Sequence, residues 1–408
     1  NGKEESMYLV EKHRIKSTNK HFGKLVELSK LSNNLYNQSL YWLRYSLDNF
    51  GEWYSYEDLD KFMKRYVRVM TPEYDNYGKL PASVAQQTLR LLSQNVKSYI
   101  KATKDWKKNP QKYKGMPDFP RFRKKGGQNS LLFTSQSARL KSGVIHFPSK
   151  VGGLTIRLRN SSIKTIKQVR IIPKGLYFIA EVVYEVLDTP VKYSGGIAGI
   201  DLGLNNLASL VFEDFSQPVL FNGRPLKAIN KYFNVKVAEY KSILDKTQKD
   251  QKSSKRLKCL YQKRNDIMDN YLHQISRRIV NLLVEKGITT LVVGKNTHQK
   301  QKNPLTNFVQ VPVFRLLDYL KYKCKRAGIK CIETEESYTT GTSCLDSEQP
   351  TKEFYNIARR VSRGTFLTNT GQRINADVNS GYQILKKVGI DVRYEGQKTI
   401  FNPVTITL

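Results

Sequence analysis

Residues 7–16, MYLVEKHRIK, alternate apolar and polar positions imperfectly and predict a strand. Residues 21–51 place apolar side chains three and four apart, which predicts a long helix ending at Gly51. A shorter helix is expected over about 56–69. Pro81 then opens another, ASVAQQTLRLLSQNVKSYIKATKDW, with proline at the first turn where helices tolerate it. Residues 107–128, KKNPQKYKGMPDFPRFRKKGGQ, break the periodicity with proline and glycine among lysines and arginines and read as a basic linker. From 131 to 187 the period shortens to that of strands: LLFTS, VIHFP, LTIRL, IKQVRIIP and LYFIAEVVYEV, separated by turns that contain Gly or Ser. The N-terminal half therefore reads as a small β-barrel whose first strand is parted from the others by a helical insertion.

A second pattern begins near 191. Strands are predicted at 197–201, 206–213 and 218–221, then helices at about 226–245 and 256–286, parted by the lysine-rich stretch DKTQKDQKSSKR. ITTLVVG (288–294) is a continuous apolar run, as in a parallel strand buried on both faces. A helix at 312–327 and a strand at 329–334 follow. Residues 337–376 are polar and irregular, and a last helix starts at Asp377 and runs to about 388. Three strands, helix, strand, helix, strand, insert, helix is the RNase H-like order. The fold class expected is α+β and multidomain.

Charge narrows the partners. Among 408 residues, 69 are Lys or Arg and 35 are Asp or Glu, a formal net charge of +34. Such an excess calls for a polyanion. No apolar run approaches the ~18 residues of a spanning helix, and no secretory-leader pattern opens the chain. The four cysteines, Cys259, Cys324, Cys331 and Cys344, form no C-x-x-C pair, so neither a disulfide framework nor an all-cysteine zinc site is indicated and a reducing intracellular setting is expected. A histone-like or ribosomal protein would share the charge, but 24 Tyr, 17 Phe and 3 Trp are too many aromatics for a basic tail and suit stacking on bases.

Candidate chemistry lies in the second half. GIAGIDLGLNNLASLVF (196–212) runs an apolar strand into Asp201 and a glycine turn, and RINADVNSGYQIL (373–385) sets Asp377 at a helix start. Converging carboxylates hold the divalent ions of a two-metal phosphodiesterase. A third acid normally ends the fourth strand beside the first; here TTLVVGKN puts Gly294, Lys295 and Asn296 there. The following strand runs into CIETEESYTT, and Glu336 or Glu335 is expected to reach back over the glycine. Glu336 is favoured because Glu333 and Glu335 share one strand parity. The alternatives are ordinary: Asp201 as a turn residue, Asp377 as a helix N-cap, the glutamates as loop charges offsetting lysines. His273 is expected to be a core or surface histidine.

These pieces, together with LYNQSLY, SVAQQTLRLLSQNVKSYIKA, PDFPRFRKK, RNDIMDNYLHQISRRIV, GKNTHQKQ and EESYTTGTSCLD, resemble in order and spacing the TnpB family, transposon-encoded RNA-guided DNA nucleases related to the compact type V CRISPR effectors. The resemblance implies a β-barrel wedge domain (7–19 and 111–190) split by a helical recognition lobe (20–110). It also implies a RuvC-like α/β nuclease (191–336 and 377–408, with a C-terminal tail) interrupted by a target-nucleic-acid-binding insert (337–376). The implied activity is Mg²⁺-dependent cleavage of double-stranded DNA beside a short target-adjacent motif. Asp201, Glu336 and Asp377 are the catalytic and metal-binding residues for two ions. The partners are a guide RNA, of the omega or CRISPR type, and target DNA, one chain per RNA, in a prokaryotic cytoplasm at the nucleoid. Two departures stand out. The usual third carboxylate falls on Gly294, as in members with a relocated glutamate, and the insert has only Cys344, so no zinc is expected.

Nucleic-acid contacts are expected from Arg121, Arg123, Lys124 and Lys125, and from Gln86, Gln87, Arg90 and Asn95 on the third helix. Lys295 and Asn296 are expected beside the metal site. Tyr54, Tyr74 and Tyr77 either stack on bases or pack, and the tract 246–258 either grips RNA or is a solvated break. Nuclease-inactive relatives act as RNA-guided repressors, which is the alternative function. A guide-independent nuclease or scaffold, such as a junction resolvase or structural RNA binder, is the third.

Overall fold

A computed structural model describes residues 6–67, 71–192, 194–247, 253–295 and 311–408. The chain divides into two units, 1–187 and 188–408. Asn296 and the remainder of GKNTHQKQ, and residues 248–252 of the lysine-rich tract, lie outside the described residues.

In the first unit the opening alternation becomes β1 (Ser6–Lys16), which buries Met7, Leu9 and Ile15 and exposes the residues between Met7 and Leu9 and either side of Ile15. α1 (Phe22–Phe50) ends where Gly51, at φ 67°, turns left-handed and donates its N–H to Leu47 O. α2 (Tyr56–Phe62) passes into a π-turn, Met63–Val67, and α3 (Ala82–Lys108) follows Pro81. The strands are β2 (Leu131–Thr134), β3 (Arg139–Lys141), β4 (Val144–His146), β5 (Thr155–Arg157), β6 (Gln168–Pro173) and β7 (Tyr177–Leu187). They make two antiparallel sheets, β1-β7-β6-β2 and β3-β4-β5, rather than one closed barrel among the described residues. Among the described residues β2 bonds only to β6, and β3, β4 and β5 are three residues each, too short to carry a ladder around to β1. One apolar cluster joins these sheets to α1, α2 and α3.

The basic linker is laid along α1. Asn37 accepts from Arg123 N–H at 2.8 Å and donates to Arg123 O at 2.9 Å; Asn33 donates to Lys124 O at 3.0 Å and Arg44 to Pro120 O at 2.8 Å. A segment without repeating structure thereby has its backbone groups satisfied by side chains of a neighbouring helix.

The second unit is built on a six-stranded sheet. β8 (Gly196–Leu202), β9 (Asn206–Phe212) and β10 (Val219–Asn222) are consecutive antiparallel strands. α4 (Arg224–Thr247) and α5 (Lys255–Glu285) lead to β11 (Ile288–Lys295), which pairs parallel to β8; α6 (Val313–Arg326) leads to β12 (Lys330–Glu335), parallel to β11. Across the sheet the order is β12-β11-β8-β9-β10-β15. The last of these, β15 (Val404–Ile406), pairs parallel to β10; its three residues carry too little alternation to be read in the sequence. β11 buries both faces. Leu291 and Val293 join the cluster beneath α5 and α6, while Val292 joins the one beneath α7 (Ala376–Lys387). The segment read as irregular contains a hairpin, β13 (Thr365–Leu367) with β14 (Arg373–Asn375).

Candidate metal and nucleic-acid site

β8 ends on Asp201 and Leu202. Two residues earlier, Gly199 lets α7 lie close on the sheet, since a Cβ there would stand 2.6 Å from the carbonyl oxygen of Gly381. That approach brings the first turn of α7 to the mouth of β8. Asn375 caps α7, accepting from the N–H groups of Asp377 (3.0 Å) and Val378 (3.1 Å), so Asp377 is not the cap and its carboxylate faces outward from the first turn. From the other flank, β12 ends at Glu335 and the chain turns at Glu336. Glu336 Oε2 lies 3.3 Å from where a Cβ on Gly294 would stand. The nearest atom to that position is the Ile384 side-chain tip at 2.5 Å, so the glycine in β11 leaves room for Ile384 first and for Glu336 beside it.

Asp201, Glu336 and Asp377 line one cavity of about 640 Å³ with Asn206, Arg224, Arg360 and Arg363. Burial pushes the Asp201 carboxyl well above the usual carboxylate range, and the charges of Glu336 and Asp377 push it the same way; Arg360 and the Leu202 N–H oppose them. Asp377 is held at both oxygens: Arg360 Nη2 donates to Oδ1 at 3.1 Å and Asn206 Nδ2 to Oδ2 at 2.8 Å. Carboxylate oxygens crowded at a cavity wall are the donor set of Mg²⁺. The residues fit the ion in kind and charge, yet among the described residues no three acids, histidines or cysteines are grouped closely enough to hold one in this arrangement.

Glu335 points elsewhere, bonded to Lys387, which with Ser337 holds its carboxyl down to about 2. Glu333 pairs with Lys321 and Lys295, the latter at 2.9 Å. Lys295, expected at the metal site, is therefore engaged on the neighbouring strand and does not line the cavity. His273 stacks on Tyr319 at 3.9 Å.

The expected nucleic-acid residues of the first unit are differently disposed. Arg121 is exposed and pairs with Asp118 at 2.6 Å; Lys124 and Lys125 are exposed. Arg123 lies over the Tyr36 ring at 4.1 Å and bonds to Asn129. Gln87, Arg90 and Arg123 line a second cavity of about 410 Å³. Asn95 donates to the Tyr36 hydroxyl at 2.9 Å, Gln86 bonds to Tyr77, and Arg90 lies 4.1 Å over the Tyr56 ring. Of the three tyrosines, Tyr77 is packed, its hydroxyl 2.7 Å from Asp60; Tyr54 stacks on Phe62; Tyr74 is exposed.

The insert carries its own polar core. Arg359 donates to both oxygens of Glu348 at 2.8 Å, to Asp346 at 2.6 Å and to Leu367 O at 3.1 Å. Asn379 of α7 accepts from Cys344 N–H at 2.8 Å and donates to Thr342 O at 2.7 Å, tying the insert to the helix that bears Asp377.

Arg360, Asn206 and Arg224 are cavity residues that sequence reasoning missed. Arg359 and Arg360 are adjacent and alike in sequence, and only the fold sends one into the insert and the other to Asp377. Asn206 had a signal, a polar residue opening β9 directly after the D-x-G turn.

An OrfB_IS605 family model, described as a probable transposase, matches residues 181–321, and a Cas12f1-like TNB domain model matches 314–384. The TnpB-like protein ORF457 of Acidianus two-tailed virus is 28% identical over 206 residues, covering 48% of this chain and 43% of the relative, so the match spans less than half of that protein's length. Among solved structures, a Cas12f1–sgRNA–target DNA complex aligns at 13% identity over 92% of this chain and 98% of its own, with a TM-score of 0.37. CasPhi-2 bound to crRNA aligns at 9% over 95% and 99%, with a TM-score of 0.36. Two family models that together run from 181 to 384 and a TnpB-like viral relative agree, and over this segment the chain is similar to TnpB family proteins.

Proposed function

We propose that this protein is an RNA-guided double-stranded DNA endonuclease whose RNase H-like, RuvC-type unit cuts phosphodiester bonds with divalent metal held by Asp201, Glu336 and Asp377. In this reading residues 191–336 and 377–408 form the nuclease, 337–376 the target-binding insert, and the first unit the wedge and recognition parts. The guide RNA reads sequence by base pairing, and the protein reads a short motif and the shape of the heteroduplex. Similarity to the TnpB family over residues 181–384 supports the class of activity.

One observation carries the site. Acids from β8, from the turn after β12 and from α7 face one cavity, and Glu336 Oε2 lies 3.3 Å from where a Cβ on Gly294 of β11 would stand. Bound there, Mg²⁺ supplies Lewis-acid activation of the phosphodiester and offsets charge that develops on it. The chain's own side chains prepare the place: Asn206 orients Asp377, the Leu202 N–H bonds Asp201, and Asn375 fixes the first turn of α7. Arg224, Arg360 and Arg363 give the cavity a basic wall suited to a phosphate.

The test is cleavage of a guide-matched plasmid, randomised beside the target, by protein purified with RNA from its native locus. Mg²⁺-dependent cuts are expected, abolished by EDTA. Glu336→Gln should lower the rate by about 10²-fold or more, the scale lost with a principal electrostatic stabiliser, and leave target binding unchanged. Specific binding without cuts in the unaltered protein would overturn the reading in favour of a guided repressor. Protein that purifies and works free of RNA would overturn the guide.

A further inference from the structure

We propose that Arg360 is exchanged for divalent metal at Asp377: it is the site's counter-ion while no metal is bound and, once released, a contact for a phosphate of the strand to be cut. The inference rests on the metal-site reading above and goes beyond it by assigning a residue of the insert a part in both binding events.

Asp377 gives one oxygen to Arg360 and the other to Asn206. Asn206 is neutral, and its hydrogen bond can persist while the carboxylate also faces an ion, as outer partners of metal ligands do. Arg360 is a cation, so a divalent ion at the same carboxylate and the guanidinium repel each other in a half-buried cavity where charge is poorly screened. The two arginines side by side on the insert differ in a way that suits one of them to move. Arg359 is bound by two carboxylates and a carbonyl. Among the described residues Arg360 bonds to one carboxylate, Asp377, and acts on Asp201 by charge; its other bonds run to Arg363 O within its own loop, at 3.2 and 2.7 Å. Leaving Asp377 costs it that ion pair and part of its attraction to Asp201, and its loop anchor can stay.

A released guanidinium keeps its forked donors beside Arg363 and Arg224 on the same cavity wall. A phosphodiester fits that geometry. The two events are then linked. A phosphate that takes Arg360 frees Asp377 for metal, and metal that takes Asp377 frees Arg360 for phosphate, and linkage requires the two effects to be equal. The consequence is weak metal binding by the protein without substrate and tighter binding once a strand enters.

Mn²⁺ binding by the full chain with its RNA, followed by electron paramagnetic resonance of the free ion, tests this. The background is the double variant Asp201→Asn with Asp377→Asn. Arg360→Gln should bind Mn²⁺ about tenfold more tightly than the unaltered protein, within the usual range of a site-to-site coupling. A short phosphorothioate single-stranded DNA should tighten Mn²⁺ binding to the unaltered protein and to Arg360→Lys clearly more than to Arg360→Gln, in which only the ion's direct contact with phosphate couples the two. Equal Mn²⁺ affinity with and without Arg360, equal response of all three proteins to DNA, or loss of the response in the lysine variant overturns the exchange. Mn²⁺ binding by the unaltered protein no greater than background overturns the metal site itself, and the exchange with it.

Discussion

A Cβ on Gly199 would stand 2.6 Å from a backbone oxygen of α7, whereas a Cβ on Gly294 would meet the tip of the Ile384 side chain at 2.5 Å and Glu336 Oε2 at 3.3 Å. A backbone atom cannot step aside without moving its helix; an isoleucine methyl can turn away. Gly199→Ala should therefore cost about 3 kcal/mol of stability, at the upper end of ordinary overpacking, and Gly294→Ala about 1. The second variant should fold yet cut more slowly, because its methyl displaces Glu336 by a few tenths of an ångström. Denaturant midpoints and cleavage rates together check the pair; a Gly294→Ala protein as fast as its parent would mean that Glu336 does not work from this position. At this scale the meeting of Asp201 and Asp377 at one cavity was legible because each sits at a turn that ends or starts an element, and that of Glu336 because strand parity separates it from Glu335. Arg360 was not legible, since its destination depends on how the insert folds back and no local pattern encodes that.

In the insert a source of order is the buried arrangement of Arg359 with Glu348 and Asp346. Asn369 bonds to both acids and the Ser343 N–H to Glu348. Removing one partner of such a cluster leaves the others buried and unpaired. Arg359→Met should thus destabilise the insert by about 3 kcal/mol, while a chelator should leave its unfolding unchanged. Limited proteolysis within 337–376, with and without EDTA, reads both. Cutting promoted by EDTA alone would mean that a metal holds the insert after all. The sequence announced this element only negatively, through its single cysteine. Its hairpin, β13 with β14, has strands of three residues, too short for a period to register. Long elements were the reverse case: α1, α3, α5 and β11 repeat their pattern often enough to be bounded to within a few residues.

Over the whole molecule, the order of elements is a sum of local signals and was legible, whereas closure of a sheet depends on partners far apart in the chain. The strands expected to form one barrel accordingly resolve into two sheets. Net charge is a global property that needs no fold to read, and it leads to a last expectation. With +34 formal charges, the protein should bind any nucleic acid by releasing counterions, an affinity that falls by about 10³–10⁵ between 50 and 200 mM salt when roughly six to ten phosphates are contacted. On the proposed function, target recognition adds base pairing between guide and DNA, which replaces one duplex by another and does not draw on the protein's cations. Salt should then weaken binding to unrelated DNA far more steeply than binding to a guide-matched target. Equal slopes in a titration of the two DNAs, with the RNA bound in both, would mean that the protein's charge alone selects its partner and that no guide is at work.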